Sequence, residues 1–222
     1  MRNINTLLKS SKQLGLGLVV AVSALLAVSA QASVITSLPG GTAIIIPPDN
    51  LFTAGPVAGS GYTFTSSTAS SVYGWTNGYG LDANGNWNGG LGFPFIGLNT
   101  FEGFMRITFD APVTSVLAFV NYADGGLGSY LFGTPSISVY DSSDNLIEDF
   151  TLLFATANDN EGFDFGFTEG SAIIKSIQFR NAFIVAANLR IDGQTVPEPG
   201  TLALLGAALA ALALGRRRQT QS

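Results

Sequence analysis

The sequence predicts an all-β protein, an antiparallel β-sandwich of jelly-roll type, flanked by an N-terminal signal helix and a C-terminal transmembrane helix. Three observations carry this. Apolar residues alternate with polar ones over short runs bounded by Gly, Asn, Asp and Ser. No 3.6-residue apolar stripe of useful length occurs between residues 33 and 196. Two uncharged apolar stretches with basic flanks stand at the two ends. The chain of 222 residues therefore divides into residues 1–32, a body over 33–195, and a tail over 196–218.

Residues 1–32 carry Arg2, Lys9 and Lys12 and no acid. The apolar run 14–28 follows, then small residues, and Ala30-Gln31-Ala32 before Ser33 satisfies the A-x-A cleavage rule. A basic start, an apolar middle and a small-residue exit make a secretory signal peptide. Val28-Ser29-Ala30 offers a second cleavage point two residues earlier.

In the body, Met105, Ile107 and Phe109 alternate with Arg106 and Thr108, and Asp110-Ala111-Pro112 is expected to turn the chain. Residues 113–122 are almost continuously apolar and read as a central strand. Ile137 and Val139 alternate with serines up to Tyr140; Asp141-Ser142-Ser143-Asp144-Asn145 is turn chemistry, and 146–154 is the return strand of a hairpin. Phe163, Phe165 and Phe167 alternate with Asp164 and Gly166. Ile173, Lys175, Ile177 and Phe179 are expected on one face of the next strand, and Phe183, Val185, Ala187, Leu189 and Ile191 on one face of the last. Such short, regularly spaced strands are those of a sandwich.

Residues 74–99 differ, because half of them are Gly or Asn. Glycine denies this segment regular structure, so a long surface loop or an irregular hairpin is expected. Tyr73, Trp75, Tyr79 and Trp87 lie in or beside it. Aromatic faces next to Asn amides form a sugar platform, with rings covering C–H faces and amides meeting hydroxyls. The competing reading, to which the sequence leans, folds these rings back as the segment's own small core.

Composition excludes much chemistry. The chain has no Cys and no His, which removes thiolate nucleophiles, Ser-His-Asp triads and the common zinc and haem ligands. Its formal charge is −5, and nucleic acid is not an expected partner. No Walker or dinucleotide fingerprint appears. The carboxylates Glu161 and Asp164 would point to opposite faces of a strand, and Glu161 and Glu169 share a face but lie some 26 Å apart along one. No catalytic residues and no cofactor are therefore expected. Oxygen ligands for calcium exist in Asp141, Asp144 and Asn145 and in Asn158, Asp159, Asn160 and Glu161, but neither run fits an EF-hand loop, and both read as solvated turns. No metal site is expected.

The tail opens on Val196-Pro197-Glu198-Pro199-Gly200, continues without charge over 201–215, and closes on Arg216-Arg217-Arg218. An apolar helix of that length is about 22 Å long and just crosses a thin membrane if the arginines snorkel. Basic clusters at both ends place both ends inside and the body outside. A Pro-Glu-Pro motif, a short Leu/Ala/Gly helix and an Arg cluster in that order resemble the PEP-CTERM sorting signal of exported proteins in Gram-negative bacteria that make extracellular polysaccharide. The resemblance implies recognition and cutting at Pro197, Glu198 and Pro199 by an exosortase, with Arg216, Arg217 and Arg218 holding the helix in the inner membrane until then. Mechanically this works like a GPI signal, whose hydrophobic segment is removed. The stretches 106–120, 137–146, 173–179 and 186–191 also resemble the lectin-like sandwich bodies of PEP-CTERM proteins, with Ala187 where many relatives carry an acid. The expectation is a cell-surface or matrix protein with a binding or structural body, associated with exopolysaccharide. The alternatives are a polysaccharide-active enzyme and a structural subunit without ligand.

Overall fold

The computed structural model describes residues 32–124, 132–154 and 156–193. The signal segment up to Gln31, with Ala30, and the tail from Gln194, with Pro197, Glu198, Pro199 and the three arginines, lie outside the described residues. Among the described residues no helix is long and apolar enough to cross a membrane.

The body is a sandwich of antiparallel sheets. Its strands are β1 (Ser33–Ile35), β2 (Thr42–Ala43), β3 (Leu51–Phe52), β4 (Val57–Gly59), β5 (Tyr62–Ser66), β6 (Val72–Trp75), β7 (Tyr79–Gly80), β8 (Asn86–Trp87) and β9 (Phe95–Gly97), then the longer β10 (Phe104–Val113), β11 (Ser115–Asn121), β12 (Ser136–Tyr140), β13 (Leu146–Thr151), β14 (Phe163–Thr168), β15 (Ile174–Arg180) and β16 (Val185–Asp192). The first sheet runs β1-β14-β11-β16-β9-β6-β3, with β2 also on β16; the second runs β13-β12-β15-β10-β5-β4. From β9 onward the chain changes sheet at every step except the β12–β13 hairpin. The resulting rows, β9-β16-β11-β14 and β10-β15-β12-β13, are the interleaving of a jelly roll.

Alternation explains the main core. Met105, Ile107 and Phe109 of β10 face Val116, Ala118 and Val120 of β11 across the two sheets, and Ile137, Val139, Phe165, Phe167, Ile177 and Phe179 extend the same cluster. Between these strands Arg106 and Thr108 are half-buried on the outer face of the second sheet. There Arg106 donates to Gln178 through Nε and Nη2 (2.9 and 2.6 Å) and to Asp144 through Nη1 (2.6 Å). The β12–β13 turn forms as expected, because the Asp141 carboxylate accepts from the backbone N–H of Ser143 and Asn145 and from the Asn145 amide. Those bonds, the Asn145 side chain first, hold the Asp141 carboxyl below its usual range.

Four expectations change. The chain does not turn at Asp110-Ala111-Pro112: β10 continues to Val113 through an irregularity that tolerates the missing proline N–H. The β13 return strand stops at Thr151 instead of reaching 154. On β15 it is Ile174, not Ile173, that enters the core, while the Lys175 ammonium donates to the Asp110 carbonyl at 2.8 Å.

The fourth change concerns β16. Val185 and Ala187 face one side of the first sheet, and Leu189 and Ile191 face the other. Two steps along β11, from Leu117 to Phe119, match three along β16, from Arg190 to Ala187. The extra residue is a bulge, with Asn188 at φ 46°, and it inverts the inside-outside pattern of the strand.

Candidate functional site

The first sheet has a second apolar cluster on its outer face, and residues 74–99 build it. Val72, Phe95, Val185 and Ala187 project outward from β6, β9 and β16, and Tyr79, Leu81 and Trp87 cover them. β7 and β8 form a small antiparallel hairpin in which Tyr79 pairs with Trp87. This layer explains why β11 is apolar on both faces: Phe119, on its outer side, packs under the hairpin.

Trp87 is the centre of that layer. It is fully buried, stacked on Phe119 at 5.5 Å and 9°, and edge-on to Phe95 at 5.5 Å. Its indole N–H donates to the Glu161 carbonyl at 2.7 Å. The loop 158–161 clamps the hairpin from outside. Asp159 accepts from Asn86 N–H at 3.0 Å, and Asn160 accepts from Asn88 N–H at 2.9 Å through its side chain. Gly85 passes so near this loop that a Cβ there would lie 2.9 Å from the Asn158 carbonyl carbon. Within Asn158–Glu161, considered above as oxygen ligands, the Asp159 and Asn160 side chains and the Glu161 carbonyl are thus engaged in holding the β7–β8 hairpin.

The four rings singled out in the sequence do not form one platform. Trp87 is enclosed. Tyr73 lies in the main core between the sheets, its hydroxyl 2.8 Å from that of Tyr62, which also donates to the Ile45 carbonyl. Burial pushes both phenols up. Tyr79 is 8% exposed; its hydroxyl has no hydrogen-bond partner among the described residues, and burial pushes it up as well. Only Trp75 reaches the surface.

Trp75 meets a residue that the sequence reading did not single out. Phe52, on the two-residue β3, is 59% exposed and sits edge-on to Trp75 with centroids 4.7 Å apart. Phe52, Val72, Trp75, Gly78, Tyr79, Gly80 and Asn99 line a cleft of about 170 Å³. No periodic signal marks Leu51-Phe52 as a strand, so only the fold brings Phe52 there. Its position is braced. The Asn50 carboxamide oxygen accepts from the Thr76 N–H (2.9 Å), the Thr76 hydroxyl (3.1 Å) and the Asn77 amide (3.1 Å). Gly74 lets this happen: at φ 62° a Cβ would stand 2.1 Å from the Pro47 carbonyl oxygen.

The carboxylates considered for hydrolysis are separate. Glu161 and Asp164 are both exposed, and Glu169, just past the end of β14, is 7% exposed with one oxygen unpartnered among the described residues. Burial first, and Glu148 second, push the Glu169 carboxyl up.

Ser33, the residue after the expected cleavage point, opens β1, where it pairs with Thr168. The distal segment is assigned by comparison. Residues 195–219 match the model of the PEP-CTERM protein-sorting motif.

This chain carries a PEP-CTERM sorting signal.

Pro197, Glu198, Pro199 and Arg216–Arg218 all fall within the matched stretch. The PEP-CTERM signal implies export and processing by an exosortase. No curated protein matches the chain. Among solved structures, the lectin domain of lectinolysin in complex with Lewis B antigen aligns with 75% of this chain and 94% of its own length, at 11% identity and a TM-score of 0.28. A histidine mutant of the same domain aligns at 10% identity with the same score. A score that low carries no argument about a ligand.

Proposed function

We propose that this PEP-CTERM protein is delivered through the inner membrane, released there by an exosortase, and retained at the cell surface or in the extracellular matrix, where its sandwich binds or scaffolds polysaccharide without catalysis. The observation that carries the reading is the match over 195–219, in which Pro-Glu-Pro precedes an uncharged Leu/Ala/Gly stretch and three arginines. Prolines 197 and 199 cannot enter a helix interior, so they keep the motif extended where a processing enzyme can grip it. The short apolar stretch then suits temporary residence in the bilayer.

A body without catalysis is supported by the placement of its acids. Glu161 lies in the loop before β14 and Asp164 on the strand itself, and the Glu161 carbonyl is taken up by Trp87 and Asn121. A glycosidase instead holds two carboxyl groups about 5–10 Å apart over one cleft. Burial of Trp87, Tyr73 and Tyr79 favours a structural role for most of residues 74–99, which leaves binding to the cleft at Phe52 and Trp75.

The test is replacement of Pro197, Glu198 and Pro199 together by alanine in the host. The variant should accumulate in the inner membrane with its tail intact while the wild type leaves it. Equal distribution of the two proteins would overturn the reading.

A further inference from the structure

The cleft beside Trp75 combines features that select one kind of ligand. Its walls are aromatic: the Phe52 ring stands edge-on to Trp75 at 4.7 Å, and Tyr79 lines the floor. Its remaining lining offers the Asn99 amide and the backbone at Gly78 and Gly80. None of the lining residues is charged, although the body carries fourteen acids and four bases. The rims are held before any ligand arrives. β3 is paired to β6 at Leu51–Tyr73 and Phe52–Val72, Asn50 ties the Thr76–Asn77 turn, and the Trp75 indole N–H donates to the Gly78 carbonyl at 3.4 Å.

We propose that this cleft is a binding site for one uncharged pyranose ring of a polysaccharide, with Trp75 and Phe52 flanking its C–H faces and Asn99 meeting its hydroxyls. The inference rests on the polysaccharide reading above and names its site. An apolar ligand would leave the Asn99 amide without a partner. An anionic ligand would meet no counter-charge in the cleft and a body of net negative charge around it. A neutral hydroxylated ring answers both, since its faces are apolar and its edge is polar. At about 170 Å³ the cleft is smaller than the roughly 300 Å³ at which drug-sized pockets begin. It therefore seats a single ring, with the rest of a longer chain running outside.

The experiment uses the full chain in a sugar-free detergent on immobilised neutral glycans (glucans, galactans, mannans, fucosylated and N-acetylhexosamine oligosaccharides), with uronate and sulfated glycans beside them. Wild type should retain at least one neutral glycan in preference to the charged set. Trp75→Ala and Phe52→Ala should each weaken that binding more than about tenfold, and Asn99→Ala about tenfold. Phe52→Ala removes a ring that is 59% exposed and should melt close to wild type, so it decides the matter if Trp75→Ala fails to fold. Ligand should change the emission of Trp75 and not that of buried Trp87. Binding unchanged in Phe52→Ala and Trp75→Ala would overturn this site and leave the polysaccharide reading standing. Failure to retain any glycan would overturn both, and preference for the charged glycans would overturn the neutral ligand.

Discussion

Replacing Trp87 by alanine tests whether residues 74–99 are a structural layer of the sandwich. The side chain is fully buried, with Phe119 stacked beneath it and Phe95 at its edge. Truncating a buried Trp to Ala costs about 3–5 kcal/mol. The Glu161 carbonyl loses the indole N–H but keeps the Asn121 amide, so the cost stays near the middle of that range. With a urea slope of about 2 kcal/mol/M, the unfolding midpoint should fall by about 2 M. Trp87→Phe keeps an aromatic ring on Phe119 but loses the hydrogen bond, so its midpoint should fall by about 1 M. Both variants retain Trp75 as the single tryptophan, so its fluorescence can be followed alongside far-ultraviolet circular dichroism. The two signals should change together. A midpoint shift under about 0.5 M in Trp87→Ala, or a fluorescence transition well ahead of the dichroism, would show that the outer layer opens independently of the sheets.

Two further predictions come from individual positions. The raised Glu169 carboxyl means that the folded state favours its protonated form: the associated stability is present below the unfolded pKa and is lost as pH rises through the folded one. Glu169→Gln should therefore stabilise the protein at pH 7 and flatten its pH dependence above the ordinary carboxylate range, as read by thermal melts from pH 4 to 8; an unchanged melting curve at pH 7 would contradict this. Gly74→Ala should destabilise far more than Gly61→Ala. Both glycines have positive φ, 62° and 84°, but only the Gly74 Cβ meets backbone, whereas that of Gly61 meets open space. Gly61→Ala should cost about 1–2 kcal/mol and Gly74→Ala clearly more by urea titration, with release of Pro47–Asn50 from β6.

The second half of the body was legible because its strands are long enough for alternation to show. Met105, Ile107 and Phe109, the phenylalanines of β14, and the Asp141–Asn145 turn all stand where period two and turn chemistry put them. What the pattern hid was geometric. A single extra residue near Asn188 exchanges the faces of β16, and nothing in the composition of Ala186–Leu189 announces it. The strands before β9 are two to five residues long, too short for a period. In the candidate site, the grouping of aromatics around 74–99 was visible, but not which of them face inward. Trp87 is fixed by a bond to Glu161, seventy-four positions away, and Phe52 reaches Trp75 only through the pairing of β3 with β6. Both are contacts between distant segments, which local spacing does not encode.

The central claim is that residues 195–219 work as a sorting signal that is cut. The most direct measurement is the intact mass of the exported protein from a host with its exosortase and from the same host without it. Processing predicts, in the first, a mass lacking the signal segment and everything beyond the Pro-Glu-Pro region, and in the second, a heavier species that retains the apolar stretch and Arg216–Arg218. The same C-terminal mass from both hosts would contradict it.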